Sequence, residues 1–286
     1  MKTQKNKSIF HVLLLTIVSL SSWLNIYSQG DLMVTPTRLV MEDNQYTKMV
    51  TLVNIGKDTA VYSVSFLEYR MTPQGGIEQI KTPDENQLFA SKHLRVFPRR
   101  FTLAPNVAQT MRVQFRRDPE MTDGEYRSHL YFRDEQINTP AGMPNDNPDA
   151  AKGISIQLIP VYGISIPAIV RVGDLSVEAT ITDINCKKIT DEQAELDFTI
   201  ERHGTKSVYG DIVIEYWQEG QEKIRIANLG GNSIYTPNNL RHFKHTINRT
   251  EGINLTKGKI RVSYVEDASK QDTEIFARKT INLEEL

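Results

Sequence analysis

The chain has 286 residues, with 34 Lys and Arg against 35 Asp and Glu and a formal net charge of −1 at pH 7. A near-neutral, slightly acidic balance argues against general nucleic-acid binding, which needs a basic surface. Cys186 is the only cysteine, which excludes an intrachain disulfide and leaves stability to hydrophobic cores.

Lys2, Lys5 and Lys7 precede an apolar run over residues 9–20, and Ser28 is a small residue suited to a cleavage position. This is the pattern of a secretory leader, and the run falls short of the roughly 20 residues a spanning helix needs. Cleavage is expected after Ser28, with Gly30 as the other candidate. Losing residues 1–28 removes three lysines and no acid, so the mature chain is more acidic and long enough for two ordinary domains. No second apolar segment is long enough to span a membrane, so stable membrane insertion is not expected.

Short strand-like segments then follow at the spacing of an all-β sandwich. Residues 31–41 carry Leu32, Val34, Leu39 and Met41 around Pro36, which marks an edge or a strand switch. Strands are expected at 49–53 and 60–69, the second placing Tyr62, Val64, Phe66 and Glu68 opposite Val61, Ser63, Ser65 and Leu67. Residues 71–92, rich in Pro, Gly, Gln and Asp, read as a connection. Val107, Gln109, Met111, Val113 and Phe115 share one parity, while Thr110, Arg112, Gln114 and Arg116 form a basic, solvated outer face. A further strand, EYRSHLYFR, begins at Glu125 after the Asp123-Gly124 turn signal.

Residues 134–153 carry Pro140, Pro144 and Pro148, and the composition predicts a loop that orders on binding. This loop leads into residues 154–171, ISIQLIPVYGISIPAIVR. Every second residue from Ile154 to Val170 is apolar or ring-bearing, which is the period of a strand with one greasy face. Such a strand would span about 56 Å at roughly 3.3 Å per residue, longer than one small sandwich can cover. Pro160 and Pro167 cannot donate to a ladder and place it at an edge. Part of this strand is therefore expected to extend beyond its own core and offer apolar side chains to another molecule.

Gly173 and Asp174 mark a boundary, which divides the chain into residues 1–28, 29–172 and 173–286. Beyond it, strands are expected at 175–182, 194–201, 211–217, 223–228, 240–247, 259–265 and 273–283. Seven short strands fit a second immunoglobulin-like sandwich. The fold class is all-β, two immunoglobulin-like sandwiches set at an angle.

Nothing in the chain points to catalysis. G-x-S-x-G, P-loop and dinucleotide fingerprints are absent. His242 and His245 are three apart in an expected strand and face opposite sides, a poor metal pair. Asn248-Arg-Thr and Asn254-Leu-Thr match the short glycosylation pattern and nothing more. No cofactor or metal is expected.

Four stretches carry a resemblance: VTPTRLVMED, PRRFTLAPNVAQTMRVQF, YRSHLYF and SIPAIVR, in that order. The chain resembles the periplasmic pilus-assembly chaperones of the chaperone–usher pathway, the PapD-like family. The resemblance covers nearly all of the mature chain and is strongest in its first half. It implies a non-enzymatic periplasmic chaperone that caps pilus or fimbrial subunits by donating a long strand, then delivers them to an outer-membrane usher. The donors would be Ile154, Ile156, Leu158 and Tyr162. Three or four such side chains give a gross ~5–12 kcal/mol, reduced by ordering and association costs. The family also anchors the subunit's C-terminal carboxylate with two cations. Arg38 in TPTRLV matches the first. The second is usually a lysine four residues before the arginine that closes the long strand; that arginine matches Arg171, and Pro167 stands where the lysine would be. The family's glutamate partner for the closing arginine is expected to be replaced as well, with Arg127 near its place and supplying the missing positive charge. These departures imply a divergent branch whose long strand resembles the archaic members. The other function class that fits is a secreted immunoglobulin-like adhesion or structural surface protein, for which no anchoring or sorting segment is visible after Lys257.

Overall fold

The computed structural model of the chain describes residues 32–42, 44–135, 162–190, 192–248, 253–254 and 257–283. The expected leader, the donor residues Ile154, Ile156 and Leu158, and nearly all of the 134–153 loop lie outside the described residues. Among the described residues every named element is a strand, and no helix is long and apolar enough to cross a membrane.

The strands before Gly173 are β1 (Leu32–Thr35), β2 (Leu39–Met41), β3 (Thr47–Asn54), β4 (Ala60–Met71), β5 (Ile77–Ile80), β6 (Leu94–Phe97), β7 (Arg100–Leu103), β8 (Ala108–Phe115), β9 (Gly124–Asp134) and β10 (Gly163–Val172). They form a four-stranded sheet, β1-β3-β8-β6, and a six-stranded sheet, β2-β10-β9-β4-β5, with β7 beside β4. Two prolines organise this pairing. β1 and β2 flank Pro36 and lie in different sheets, and β6 and β7 do the same around Pro98. A residue without an N–H ends a ladder, so the chain leaves one sheet there and joins the other.

The alternation read from the sequence sets the core. Leu32, Val34, Val50, Leu52, Met111, Val113 and Phe115 of the first sheet pack against Tyr62, Val64, Leu130, Phe132, Ile166, Ala168 and Val170 of the second. Burial of each large apolar side chain contributes about 1.5–3 kcal/mol. Arg112 and Arg116 are exposed, as a solvated outer face requires. One stretch differs from expectation. The 71–92 connection contains β5, which pairs with β4 as a hairpin whose strand residues are mostly exposed.

After a turn at Gly173 (φ 82°) the chain forms β11 (Val177–Lys188), β12 (Gln193–Gly204), β13 (Val208–Trp217), β14 (Ile224–Ile234), β15 (Leu240–Asn248), β16 (Lys259–Val265) and β17 (Ile275–Asn282). Each of the seven expected strands has its counterpart. Sheets β11-β12-β15 and β14-β13-β16-β17 enclose a separate core built on Leu196, Phe198, Ile200, Ile212, Ile214, Tyr216, Val262 and Tyr264. Cys186 belongs to it as a buried free thiol, and burial raises its pKa. His242 is exposed and shares a hydrogen bond with Thr199, while His245 is half-buried on the other face of β15.

Gly210 allows β13 and β16 to close. A Cβ there would run into the main-chain carbonyl of Val265 on the neighbouring strand. Gly210→Ala is therefore expected to destabilise the fold by about 1–3 kcal/mol, the usual cost of overpacking. Urea denaturation measures it; an unchanged midpoint would show that the two strands have room to part.

Candidate functional site

The two sandwiches meet along β9, and this strand is buried on both faces. Tyr126, Leu130 and Phe132 enter the first core, while Glu125, Arg127 and His129 point the other way and are still only 3%, 3% and 6% exposed. The second sandwich covers them. Its contribution comes from Ser207 just before β13 and from Tyr235, Thr236 and Asn238 between β14 and β15.

Glu125 is the centre of the seam. Its Oε2 accepts hydrogen bonds from the Ser207 N–H (3.0 Å), the Ser207 hydroxyl (2.8 Å) and Arg171 Nε (3.0 Å). Its Oε1 accepts from Thr236 Oγ1 (3.2 Å). Arg171 lies directly opposite Glu125 in the β9–β10 register. It also donates through Nη1 to Glu42 (3.1 Å) and through Nη2 to the Ser207 carbonyl (3.2 Å). Arg171 thus has a glutamate partner in Glu125, although the sequence suggests Arg127 near the place of such a partner. Which residue lies opposite Arg171 depends on register, and register cannot be read from one strand alone.

Further contacts fix the seam. Ile169, on the outer face of β10, packs with Met71 and Tyr235 in a small apolar cluster. The β4–β5 turn reaches the second sandwich, where Asn238 Nδ2 donates to the Met71 carbonyl and the His242 N–H to the Pro73 carbonyl, both at 2.7 Å. Buried Arg202 ties the two covering loops together through bonds to the carbonyls of Gly204, Lys206 and Asn238.

Arg38 lies in the link between β1 and β2. Its guanidinium carbon is 4.6 Å from the centre of the Tyr209 ring and 5.6 Å from that of Tyr235. Nη1 is 3.4 Å from the Tyr235 hydroxyl and Nη2 is 3.5 Å from that of Ser207, both at the weak limit. Among the described residues no carboxylate pairs with it. Arg38 lines a cleft of about 880 Å³ between the sandwiches, with Val40, Glu42 and Arg171 on one wall and Ser207 and Tyr209 on the other.

The open edge of β10 runs to the same place. β2 pairs only with Ala168–Val170, so among the described residues no strand covers the outer edge from Gly163 to Pro167. Pro167, with no N–H, is half-buried on that stretch, opposite His129. Tyr162 stands at its start, 38% exposed. Because Leu39 pairs with Ala168, Arg38 comes at the level where this uncovered edge stops.

The chain is similar to fimbrial chaperones of known structure. A chain of the CsuC–CsuE chaperone–tip subunit pre-assembly complex, from archaic Csu pili of Acinetobacter baumannii, matches at 10% identity and a TM-score of 0.43, covering 86% of this chain and 97% of that one. The YadV chaperone matches at 9% identity and 0.42, over 88% and 100%. The CupB2 chaperone of Pseudomonas aeruginosa matches at 12% identity and 0.41, over 87% and 98%. No protein-family model matches the chain, and no curated protein does.

Beneath the cleft, Arg127 stacks on Tyr235 with its guanidinium carbon 4.3 Å from the ring centre and donates through Nη2 to the Tyr69 carbonyl (3.1 Å). Its Nε and Nη1 are buried without a hydrogen-bond partner. Burial pulls its pKa below the usual arginine value. His129 lies edge-on to Tyr69 and Tyr235, with a buried, unpartnered Nδ1. Two guanidinium groups, Arg38 and Arg127, thus lie against one tyrosine ring in a partly dehydrated seam. Glu125, Ser207, Tyr209, Tyr235 and His129 escaped the sequence reading. Among the described residues no cluster of His, Cys, Asp and Glu could hold a metal ion.

Proposed function

We propose that the chain is a non-enzymatic chaperone for the subunits of a surface fibre, holding each subunit by strand addition along β10. The observation that carries the reading is the alignment of the uncovered Gly163–Pro167 edge with Arg38. An added strand running parallel to β10, as β2 does, would end against Arg38, so its terminal carboxylate would meet a guanidinium that among the described residues has no carboxylate partner. An extended partner gains main-chain bonds from the edge, and two-pronged carboxylate binding fixes its register. Arg127, stacked on the same Tyr235, reinforces the positive potential from within the seam. Ile154, Ile156, Leu158 and Tyr162 supply the apolar donors, with Tyr162 the one among the described residues. In this reading residues 1–28 are a cleaved leader to the periplasm, residues 29–172 hold the subunit, residues 173–286 form the second domain, and an outer-membrane usher receives the cargo.

The test is capture of a fibre subunit encoded beside this chain, made with its native C-terminus and with a six-residue extension that displaces the carboxylate. Arg38→Ala is expected to weaken capture of the native subunit on the order of a hundredfold, the loss of two charge-assisted hydrogen bonds. The free variant should melt as the parent does. Undiminished capture of the native subunit would remove Arg38 from the reading.

A further inference from the structure

We infer that Tyr209 is a positioning residue for the Arg38 carboxylate site, so that the site is completed only by the second sandwich. This rests on the reading just given and adds a residue to it. Arg38 extends from a short link, and its nearest polar and aromatic neighbours across the seam are Tyr209, Tyr235 and Ser207. Its two hydrogen bonds are at the weak limit, so ring stacking fixes the group more than they do. The contact with the ring uses the charge of the guanidinium, and the two hydrogen bonds it makes among the described residues are both at the weak limit, so N–H donors remain available to a carboxylate.

Arg171 shows the opposite arrangement. Its Nε, Nη1 and Nη2 are each engaged, by Glu125, Glu42 and the Ser207 carbonyl, and it serves the seam instead. Of the two rings holding Arg38, Tyr235 is 7% exposed and belongs to the seam, whereas Tyr209 is 39% exposed and lines the cleft. Tyr209 can therefore be changed without opening the interface, and it is the ring a bound chain terminus would meet.

The experiment uses the full chain and the subunit in its native and extended forms. Tyr209→Ala is expected to weaken capture of the native subunit about tenfold, the range of a partly desolvated cation–ring contact. Tyr209→Phe, which keeps the ring, should behave as the parent. Capture of the extended subunit should be the same for all three proteins. In an Arg38→Ala background, Tyr209→Ala should add less than about twofold, since the group it positions is gone. Equal losses on both subunit forms, or full additivity with Arg38→Ala, would overturn the role of Tyr209 while leaving that of Arg38 standing. If Arg38→Ala itself fails to distinguish the two subunit forms, the carboxylate site and this inference fall together.

Discussion

Replacing Glu125 with alanine is expected to destabilise the chain by about 3–5 kcal/mol, the cost of breaking a buried ion pair from one side. The Glu125 side chain is fully buried, and its two oxygens accept four hydrogen bonds. Without them the Ser207 N–H loses its partner in a dry seam, and Arg171 keeps only Glu42 and a carbonyl. Glu42 is 55% exposed, and an ion pair of that kind contributes about 0–1 kcal/mol, too little to compensate. Three of the four donated bonds come from the second sandwich, so the loss falls on the coupling between the halves as well as on total stability. Guanidinium unfolding of Glu125→Ala is expected to separate into two transitions where the parent shows one. Glu125→Gln keeps the shape without the charge and should fall between the two. A single transition within about 1 kcal/mol of the parent would mean that the apolar contact of Ile169, Met71 and Tyr235, with the β4–β5 turn, is enough to hold the seam.

What could be read from the sequence follows from what is local. Pro36 marks an edge or a strand switch because a missing N–H is a property of one residue, and the structure has the switch. The strands of the second half announce themselves by alternation, and the structure places all of them. β5 gave no such signal: IEQI forms a hairpin with β4 whose side chains are mostly exposed, so no apolar period was needed. The site divides along the same line. Arg38 and Arg171 are recognisable from the strings around them. In YRSHLYF, by contrast, Arg127 and His129 occupy the parity that a half-buried strand turns to water, and nothing in that stretch reveals that a second sandwich covers it. Glu125, Ser207, Tyr209 and Tyr235 become a site only when a seam joins residues about a hundred positions apart, a tertiary fact that no window of sequence contains.

Acid is expected to weaken the chain through His129. Burial, and then the charges of Arg127 and Arg38, push its pKa from 6.5 down to about 3, so the folded protein keeps the imidazole neutral. An unfolded chain has no such constraint and takes up the proton near pH 6.5. Between pH 6.5 and about 3 the unfolded state thus binds a proton that the folded state refuses, and stability falls as pH falls across that window. Above it the residue contributes no slope. At most about 1.4 kcal/mol is lost per pH unit, so by pH 4.5 this one side chain is expected to remove about 2–3 kcal/mol. His129→Phe is the informative replacement. It keeps a ring between Tyr69 and Tyr235, gives up an Nδ1 that has no partner, and cannot titrate. Denaturant curves at pH 7 and 4.5 should show the parent losing about 2–3 kcal/mol more than the variant. His93 and His245, whose pKa values burial also lowers, are present in both proteins and cancel from the difference. Equal losses would mean that water reaches His129 and that the row Glu125, Arg127, His129 is wetter than its packing implies. A smaller acid loss in the variant would establish the dry, positively charged seam on which the placement of Arg38 depends.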